Sequence, residues 1–538
     1  MSADAEDPFD YIIVGAGSAG CVLANRLSAD PARRVLLIEA GPADRHPLIH
    51  FPRGLARLMA DPRHCWQTPA TVSDRNEPEI WLRGRMLGGS SSINGMIYVR
   101  AQPEDYADWE ALGCTGWGWD TMREAYRAIE DHELGADEVR GAGGPLHVSI
   151  MREHNPVSDA VIAAGAALGL PARADINRPD QIGIGYSTRT IRNGLRVSSA
   201  KAFLTPIRKR PNLTVVTDTL TERVVFEGGR AVAVECVRDG KPVRHACRGE
   251  VIVAAGSLQS PALLQRSGIG AGDLLRAHGI PVVVDRPAVG RNLREHRSLP
   301  MQFRLRGNIG YNRQLRGPGL ALSALRYLLG RKGAFAQAAF DVCGFFSTDG
   351  SGRADAQILA VPLTLDQSQR LPVIEREGGL LIIGYPARPT STGSVAITGP
   401  SAHAPLDIRA SFLATAHDRR IMGRIAAFVR ELCAQEPLAG LISHETHPGT
   451  DLRSDEDVAR AAAAAGYCGY HAVGTCAMGG ADTAVLDPSL RVRGVTGLRV
   501  VDTSAMPLMV SGNTNAPVMA MAWRAADLIL ADRRAGAR

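Results

Sequence analysis

Residues 84–94 combine backbone freedom with polar groups suited to contacting a bound ligand, in the order Gly-Arg-Met-Leu-Gly-Gly-Ser-Ser-Ser-Ile-Asn. The two adjacent glycines let the backbone pass close to a flat ring or a pyrophosphate. The three serines add hydroxyl and amide N–H groups that bind anions and carbonyl oxygens. An ordinary Gly/Ser connector has a similar composition, so this segment alone fits either a ligand-binding loop or a linker.

A second segment, near the N-terminus, has the pattern of a dinucleotide-binding unit. A β-branched run at residues 10–14 leads into Gly15-Ala-Gly17-Ser-Ala-Gly20 and then into a helical apolar pattern. The next strand-like run, residues 34–38, ends in Glu39, where an acidic side chain can bind both hydroxyls of an adenosine ribose. A glycine turn in a protein that binds no nucleotide is the alternative, and the second strand with Glu39 favours the nucleotide site.

These segments must be positioned by a large chain. At 538 residues the chain exceeds one typical domain, so two domains are expected. The net charge of +6 is small for this length, and no segment combines a basic stripe with interleaved aromatic residues. We therefore expect no nucleic-acid partner.

Cysteine usage and the chain termini bear on metal binding and location. The nine cysteines are odd in number and include no CxxC pair, so we expect reduced thiols, no disulfide framework and no metal site. Residues 1–8 lack an export-signal pattern, and no run of about 20 uninterrupted apolar residues occurs. We expect a cytoplasmic protein without a transmembrane segment; the basic tail at residues 533–538 leaves weak peripheral membrane association open.

Residues 301–469 have a different texture from the flanking sequence. Short strand-like runs separated by Gly, Pro, Asp and Arg predict an antiparallel sheet, and they occupy residues 301–305, 341–346, 357–361 and 380–384. One amphipathic helix follows, with a single apolar face made by Ile421, Ile425, Phe428, Val429 and Leu432.

Four ordered stretches resemble the glucose–methanol–choline (GMC) flavoprotein oxidoreductases, a family that includes choline dehydrogenase and bacterial alcohol dehydrogenases. Besides the N-terminal turn, they are the loop at 84–94 with its continuation to residue 100, the segment 256–270, and Tyr470-His-Ala-Val-Gly-Thr-Cys-Ala-Met-Gly479 with residues 500–502 and 511–517. The two long loops fit the family's two signature patterns at every defined position. The resemblance spans nearly the whole chain.

The resemblance implies a mixed α/β (α+β) fold, in which a Rossmann-like FAD-binding domain is interleaved with a substrate domain of antiparallel sheet backed by helices. It predicts an FAD-binding segment at 1–300 with cofactor loops 84–94 and 256–270, a substrate-binding segment at 301–469, and a return to the FAD-binding domain at 470–538. The family usually has Asp where this chain has Glu295, at the predicted junction.

The resemblance also implies the residues that contact FAD. In this sequence they are Gly15, Gly17, Ser18, Ala19, Gly20, Glu39, Ala40, Arg85, Gly88, Gly89, Ser90, Asn94, Gly95, Met96, Ile97, Thr221, Asp502, Asn515 and Pro517. Some family members attach FAD covalently through a histidine at the position of Asn94. An amide lacks the nucleophilic imidazole nitrogen, so we expect noncovalent FAD.

Two catalytic residues follow from the same resemblance. The family's histidine faces the N5 edge of the flavin, which assigns the general base to His471; without the resemblance, one histidine in a turn-rich segment would be interpreted as structural. An imidazole, with an ordinary pKa of about 6.5, can take the hydroxyl proton of an alcohol near neutrality. Asn513 corresponds to the second member of the catalytic pair and would orient the substrate oxygen, with an Asx turn as its alternative role.

The predicted activity is FAD-dependent oxidation of a primary or secondary alcohol to an aldehyde or ketone, by hydride transfer to flavin N5. The substrate is a small-molecule alcohol, and the electrons pass to a non-nicotinamide acceptor, namely a quinone, a dye-like acceptor or O2. Similarity of the 88–96 loop to the choline dehydrogenase-like branch favours a dehydrogenase. The alternatives are an oxygen-using alcohol oxidase, a flavin-containing lyase resembling hydroxynitrile lyases, and a nicotinamide-dependent dehydrogenase, which would leave the loops at 84–94 and 256–270 unexplained.

Overall fold

The computed structural model describes residues 7–72, 78–366 and 373–536. The expectation about an export signal rests mostly on residues 1–6, which lie outside the described ranges. The last two residues of the basic tail lie outside them as well. The strands, in chain order, are β1 (Phe9–Val14), β2 (Val35–Ile38), β3 (Cys65–Val72), β4 (Glu79–Gly84), β5 (Glu130–His132), β6 (Leu146–Val148), β7 (Gly183–Tyr186), β8 (Ile191–Arg192), β9 (Leu195–Arg196), β10 (Leu213–Val216), β11 (Thr219–Glu227), β12 (Arg230–Arg238), β13 (Lys241–Val253), β14 (Ile269–Gly270), β15 (Val284–Asp285), β16 (Arg297–Leu305), β17 (Val342–Phe346), β18 (Ala356–Val361), β19 (Gly379–Pro386), β20 (Ser394–Ile397), β21 (Leu406–Ala410), β22 (Ile442–His447), β23 (Tyr467–Cys468) and β24 (Leu498–Val500).

Helices cover both sheets and connect their strands. They are α1 (Ser18–Leu27), α2 (Pro47–His50), α3 (Leu55–Met59), α4 (Pro103–Ala111), α5 (Trp119–Ile129), α6 (Pro156–Ala167), α7 (Gly256–Arg266), α8 (Gly272–Ala277), α9 (Gly317–Gly330), α10 (Ala416–Cys433), α11 (Leu438–Leu441), α12 (Asp455–Ala465) and α13 (Asn515–Gly536). Among the residues that the structure describes, no helix is both long enough and apolar enough to cross a bilayer.

The first sheet has the strand order β10-β2-β1-β13-β12-β11, and β24 pairs with β13. Strands β10, β2, β1, β24 and the last part of β13 are parallel, whereas β11, β12 and the first part of β13 form an antiparallel meander. Every residue of β1 and β2 is buried, as expected for parallel strands covered on both faces. The carboxyl ends of the parallel strands meet at one edge, where ligands bind in open α/β sheets.

The second sheet is antiparallel and has the order β22-β16-β19-β18-β17-β7. Its strands β16 to β19 cover the four runs predicted from the sequence, and the apolar face predicted for α10 packs on this sheet. The mixed α/β fold with an antiparallel second sheet is therefore confirmed. The sheet also includes β7, from within residues 1–300, and the segment boundaries at 300 and 469 stay a prediction.

The remaining sheets are smaller. Strands β3, β4, β20 and β21 form a four-stranded sheet in the order β20-β21-β3-β4.

All nine cysteines are buried free thiols. No group of three or more His, Cys, Asp or Glu side chains within the described ranges is arranged to hold a metal ion.

Candidate active site

A cavity of about 1880 Å³ lies between the carboxyl edge of the first sheet and one face of the second sheet. Small-molecule sites usually occupy about 300–1000 Å³, so this cavity has room for a dinucleotide together with a second ligand. Its walls include both loops that the sequence singled out, as well as His471 and Asn513. Most of the predicted site residues therefore border one continuous cavity.

The turn between β1 and α1 forms one end of this cavity. A Cβ at Gly20 would lie 1.9 Å from the carbonyl oxygen of Gly15, so a side chain there would push the helix away from the strand. Helix α1 begins after Gly17 with no capping side chain and no acidic residue in its first turn. Its unpaired N–H groups and partial positive charge therefore suit a pyrophosphate. The hydroxyl of Ser18 donates a hydrogen bond to Asn515 Oδ1 at 2.7 Å, which joins α1 to the start of α13.

Glu39 lies at the end of β2 and is only 6% exposed. Its two carboxylate oxygens accept backbone N–H groups, from Ala16 at 2.9 Å and from Gly41 at 3.0 Å. Burial raises the pKa of Glu39 to about 7, against the opposing effect of these N–H donors. Glu39 also lines the cavity, and a carboxylate oxygen can accept more than one hydrogen bond, so this side chain is able to accept ribose hydroxyls.

The loop between β4 and residue 97 closes over the same end of the cavity. Gly88 and Gly89 both have positive φ values, +89° and +51°, which residues with a side chain rarely adopt. The hydroxyls of Ser91 and Ser92 donate to backbone carbonyls within the loop, at 2.6 and 2.9 Å. Ser90 lines the cavity. All three hydroxyls thus bond within the loop, since Ser90 Oγ accepts the N–H of Gly84 at 3.1 Å, and Ser90 also faces the ligand space.

Asn94 is held in place from behind by a buried arginine. Its side-chain oxygen accepts a hydrogen bond from Arg196 Nη1 at 2.7 Å and another from the backbone N–H of Met96 at 3.1 Å. Met96 has a φ of +62°, which turns the chain so that residues 94–97 all face the cavity. The amide of Asn94 therefore has a fixed orientation at this wall.

Most of the predicted cofactor residues line the cavity. They are Gly15, Gly17, Ser18, Ala19, Glu39, Ala40, Gly89, Ser90, Asn94, Gly95, Met96, Ile97, Thr221, Asp502 and Asn515. The other four, which lie behind or beside its wall, are Gly20, Arg85, Gly88 and Pro517. The role of these residues toward a cofactor stays a prediction.

Asp502 ties together two of the segments that form the site. One carboxylate oxygen accepts hydrogen bonds from Ser260 Oγ at 2.5 Å and from the N–H of Gly256 at 2.9 Å. The other oxygen accepts the hydroxyl and the N–H of Ser504, at 2.5 and 2.8 Å. Burial raises the pKa of Asp502 against these donors. Because both oxygens already accept two hydrogen bonds, this carboxylate mainly positions the loops that follow β13 and β24.

The two catalytic candidates meet directly. Asn513 Nδ2 lies 3.0 Å from His471 Nε2, and Gln357 Nε2 donates to Asn513 Oδ1 at 3.3 Å. Tyr385 donates its hydroxyl hydrogen to Gln357 Oε1 at 2.7 Å. This chain of contacts fixes the asparagine amide so that its N–H group faces the histidine. An alcohol oxygen at this point could be bound by both residues.

A second histidine fixes the proton position on His471. His296 Nε2 lies 2.9 Å from the carbonyl oxygen of Ala387, which can only accept, so Nε2 carries the hydrogen. His296 is neutral near pH 7 because burial lowers its pKa to about 4, and its Nδ1 is therefore an acceptor. This Nδ1 lies 2.9 Å from His471 Nδ1, which must then be the donor. The lone pair of His471 consequently lies on Nε2, facing Asn513 and the cavity.

The electrostatic surroundings keep His471 unprotonated. Burial lowers its pKa well below the ordinary value of a histidine, and His296 and Arg83 lower it further. A general base must be neutral before the reaction, so this environment supplies the required form over the whole neutral range.

The backbone of His471 is held by a buried carboxylate. Glu295 Oε1 accepts the N–H of His471 at 2.7 Å and that of His296 at 2.8 Å, and Arg83 donates to Oε2 at 3.2 Å. Burial raises the pKa of Glu295. A Cβ at Gly469 would lie 3.1 Å from His471 Nδ1 and 2.8 Å from the Cβ of His296, so only glycine fits beside this histidine pair.

Sequence interpretation did not assign active-site roles to His296, Gln357 and Tyr385. The sequence indicated only a domain junction at residues 289–296. The adjacent titratable residues at positions 295 and 296 were the one feature that could have pointed to a role in the active site. Nothing in the sequence links His296 to a partner 175 residues away. The sheet produces that contact, because β16 pairs with β23 and the N–H of Gly469 donates to the carbonyl of His296 at 2.8 Å.

An apolar corridor leads away from the catalytic pair along the second sheet. Strands β18 and β19 pair Gln357 with Tyr385, then Leu359 with Ile383, then Val361 with Leu381. These residues share one face because side chains alternate along a strand. The corridor is defined by the cavity-lining residues Leu359, Val361, Leu381, Ile383 and Phe340. From the first pair to the third it is about 14 Å long, at about 3.4 Å per residue.

Comparison with known proteins matched two family models along this chain. Both are described as GMC oxidoreductase, an N-terminal model over residues 9–298 and a C-terminal model over residues 389–522. The chain is 39% identical over 539 aligned residues to mitochondrial choline dehydrogenase of Homo sapiens, covering 98% of this chain and 90% of that protein. It is 36% identical to an alcohol dehydrogenase (acceptor) of Pseudomonas putida, covering 97% of this chain and 96% of that one.

A solved structure has the same architecture. The crystal structure of pyridoxine 4-oxidase from Mesorbium loti superposes with a TM-score of 0.88 at 32% sequence identity, covering 96% of this chain and 98% of the other.

Proposed function

The chain belongs to the GMC oxidoreductase family, and we propose that this FAD-dependent enzyme oxidises an alcohol to an aldehyde or ketone with His471 as the general base. The single observation that supports this proposal most is the lone pair of His471 Nε2, held toward the cavity by the relay from Ala387 through His296. FAD, when bound, supplies the acceptor for the hydride that leaves the carbinol carbon.

The protein residues account for the proton of the reaction. The alcohol hydroxyl replaces the N–H of Asn513 as the hydrogen-bond donor to His471 Nε2, and Asn513 then donates to the alcohol oxygen instead. As the hydroxyl proton moves to Nε2, the hydrogen on Nδ1 remains bonded to His296, so the ring keeps its orientation. The low pKa of the buried imidazole then favours release of the proton once the carbonyl product has formed.

The donor groups at the dinucleotide end fit FAD. The uncapped N-terminus of α1 and the glycine pair at 88–89 suit the pyrophosphate, and Glu39 suits the adenosine ribose. We propose that FAD is held without a covalent bond, since Asn94 offers an amide whose oxygen is already bonded to Arg196.

The apolar corridor supports an alcohol whose carbon body is apolar. A substrate whose hydroxyl lies between His471 and Asn513 would extend past Leu359 and Ile383 toward Val361 and Leu381. Burial of hydrocarbon against these walls is favourable, and their apolar side chains offer no hydrogen-bond partner for a second polar group of the substrate. Electrons would then pass to a quinone or a dye-like acceptor, with O2 as the alternative.

Anaerobic bleaching of the flavin by a panel of alcohols tests the proposal. We expect hexan-1-ol and benzyl alcohol to bleach the holoenzyme faster than choline or glycerol at equal concentration. Reoxidation is then compared with a soluble quinone and with O2. A flavin that no alcohol bleaches would contradict the oxidoreductase proposal and favour lyase chemistry, and a preference for choline would contradict the apolar substrate.

A further inference from the structure

Helix α9 carries an unusual number of exposed leucines. The exposed fractions are 61% for Leu322, 51% for Leu325, 71% for Leu328 and 81% for Leu329. Only Ser323 and Tyr327 of this helix are buried. Single exposed leucines are common on soluble proteins, but four close together on one helix form an apolar patch of the kind that marks an interaction surface.

The four leucines point the same way. At about 100° per residue, their side chains fall within one arc of about 120°, centred opposite Ser323 and Tyr327. The hydroxyl of Tyr327 anchors the inner face by donating to the carbonyl of Gly194 at 2.8 Å. The leucine face, defined as Leu322, Leu325, Leu328 and Leu329, is therefore fixed outward by the packing of the opposite side.

Basic residues lie on α9 and in the segments just before and after it. Residues 306–340 contain no Asp or Glu, and their six basic side chains are exposed, namely Arg306, Arg313, Arg316, Arg326, Arg331 and Lys332. Within the part of the chain that the structure describes, none of the six forms an ion pair. Two acidic side chains of this region have other partners: Glu153 accepts the N–H of Gly333, and Glu375 pairs with Arg304.

The same helix borders the mouth of the active-site cavity. Leu320, near its N-terminus, is 42% exposed and also lines the cavity, so the cavity reaches the surface there. Arg316 donates to the carbonyl of Ile374, another lining residue, at 2.6 Å. A surface that covers α9 would therefore also cover the entrance.

We infer that α9 docks this protein on the surface of an anionic phospholipid bilayer, with the leucine face in the acyl boundary and the basic side chains at the headgroups. An amphipathic helix with leucines on one side and arginines beside them is suited to this position. A second copy of the chain fits less well, because a symmetric contact through the same face would bring the basic residues of both copies together. The cavity mouth would then open toward the lipid.

Vesicle sedimentation of the holoenzyme tests the inference without using its reaction. Vesicles of equal parts phosphatidylcholine and phosphatidylglycerol are compared with phosphatidylcholine alone. We expect the variant Leu322→Gln/Leu325→Gln/Leu328→Gln to lose about tenfold or more in partitioning to anionic vesicles. Arg326→Gln/Lys332→Gln should lose about fivefold per removed charge, and added salt should have the same effect.

The matched control is Leu112→Gln/Leu134→Gln, which removes leucines that are 47% and 38% exposed elsewhere on the molecule. It should bind vesicles like the wild type, and all variants should keep bound FAD and their turnover of a short soluble alcohol. The inference is overturned if the wild type does not bind anionic vesicles. It is equally overturned if the leucine variant and the control variant partition to anionic vesicles to the same extent. It is also overturned if light scattering shows a wild-type dimer that the leucine variant dissociates.

Discussion

The role of His296 can be tested by two substitutions that each keep half of its hydrogen bonding. In His296→Asn, the side-chain oxygen lies near the former Nδ1 and can still accept from His471. In His296→Gln, the longer amide can reach the carbonyl of Ala387, but His471 Nδ1 loses its acceptor. Both new side chains are polar, and neither is larger than histidine. Comparing the two variants therefore separates the effect of hydrogen bonding from the effect of packing.

The expected loss follows from the orphaned donor. A buried N–H without a partner costs about 1–3 kcal/mol, which corresponds to about 5- to 150-fold in rate when the functional tautomer must be formed at that cost. His296→Gln should therefore slow anaerobic flavin reduction by this factor, whereas His296→Asn should recover most of the rate. The effect should fall on kcat with little change in KM, because His296 is fully buried and does not line the cavity.

Stopped-flow absorbance of the flavin under saturating alcohol gives the reduction rate directly. Thermal unfolding and the FAD content of each variant serve as controls for folding. If His296→Gln reduces its flavin at the wild-type rate, the tautomer relay is not required. Equal losses in both variants would mean that His296 acts through packing alone.

Three further predictions concern the base, the nucleotide site and the cofactor linkage. His471→Ala should keep its yellow FAD yet reduce it about 10²–10⁴-fold more slowly, while Asn513→Ala loses less and the double variant falls short of the product of both losses. Because burial holds the pKa of His471 well below its ordinary value of about 6.5, wild-type kcat/KM should stay level through pH 6.5 and decline only in clearly more acidic solution, where the base becomes protonated. The alanine variant should lack this acid limb; a wild-type rate or an unchanged pH profile for His471→Ala would refute the assignment. Glu39→Arg removes hydrogen bonds to the ribose worth about 1.5–3 kcal/mol, so FAD should dissociate during dialysis, and full retention would show that Glu39 is not the ribose ligand. After acid precipitation the washed pellet should be colourless, since Asn94 cannot bond covalently to the flavin; a yellow pellet would contradict this.

The sequence by itself located the nucleotide edge of the site, because those signals are local. Gly15, Gly20 and Glu39 lie within one βαβ unit, where the strand–turn–helix geometry is set by neighbouring residues. The antiparallel strands β16 to β19 were also visible as short strand-like runs between turn residues. The resemblance then supplied His471 and Asn513, which the structure brings into contact.

Only the tertiary structure decided how the base is oriented and where the leucine face lies. The pairing of β16 with β23 brings His296 beside His471, and the pairing of β18 with β19 brings Tyr385 to Gln357. Such registers depend on which strands become neighbours, and a linear pattern does not contain that information. The same holds for α9, whose leucines face outward because Ser323 and Tyr327 occupy the side that packs against the protein.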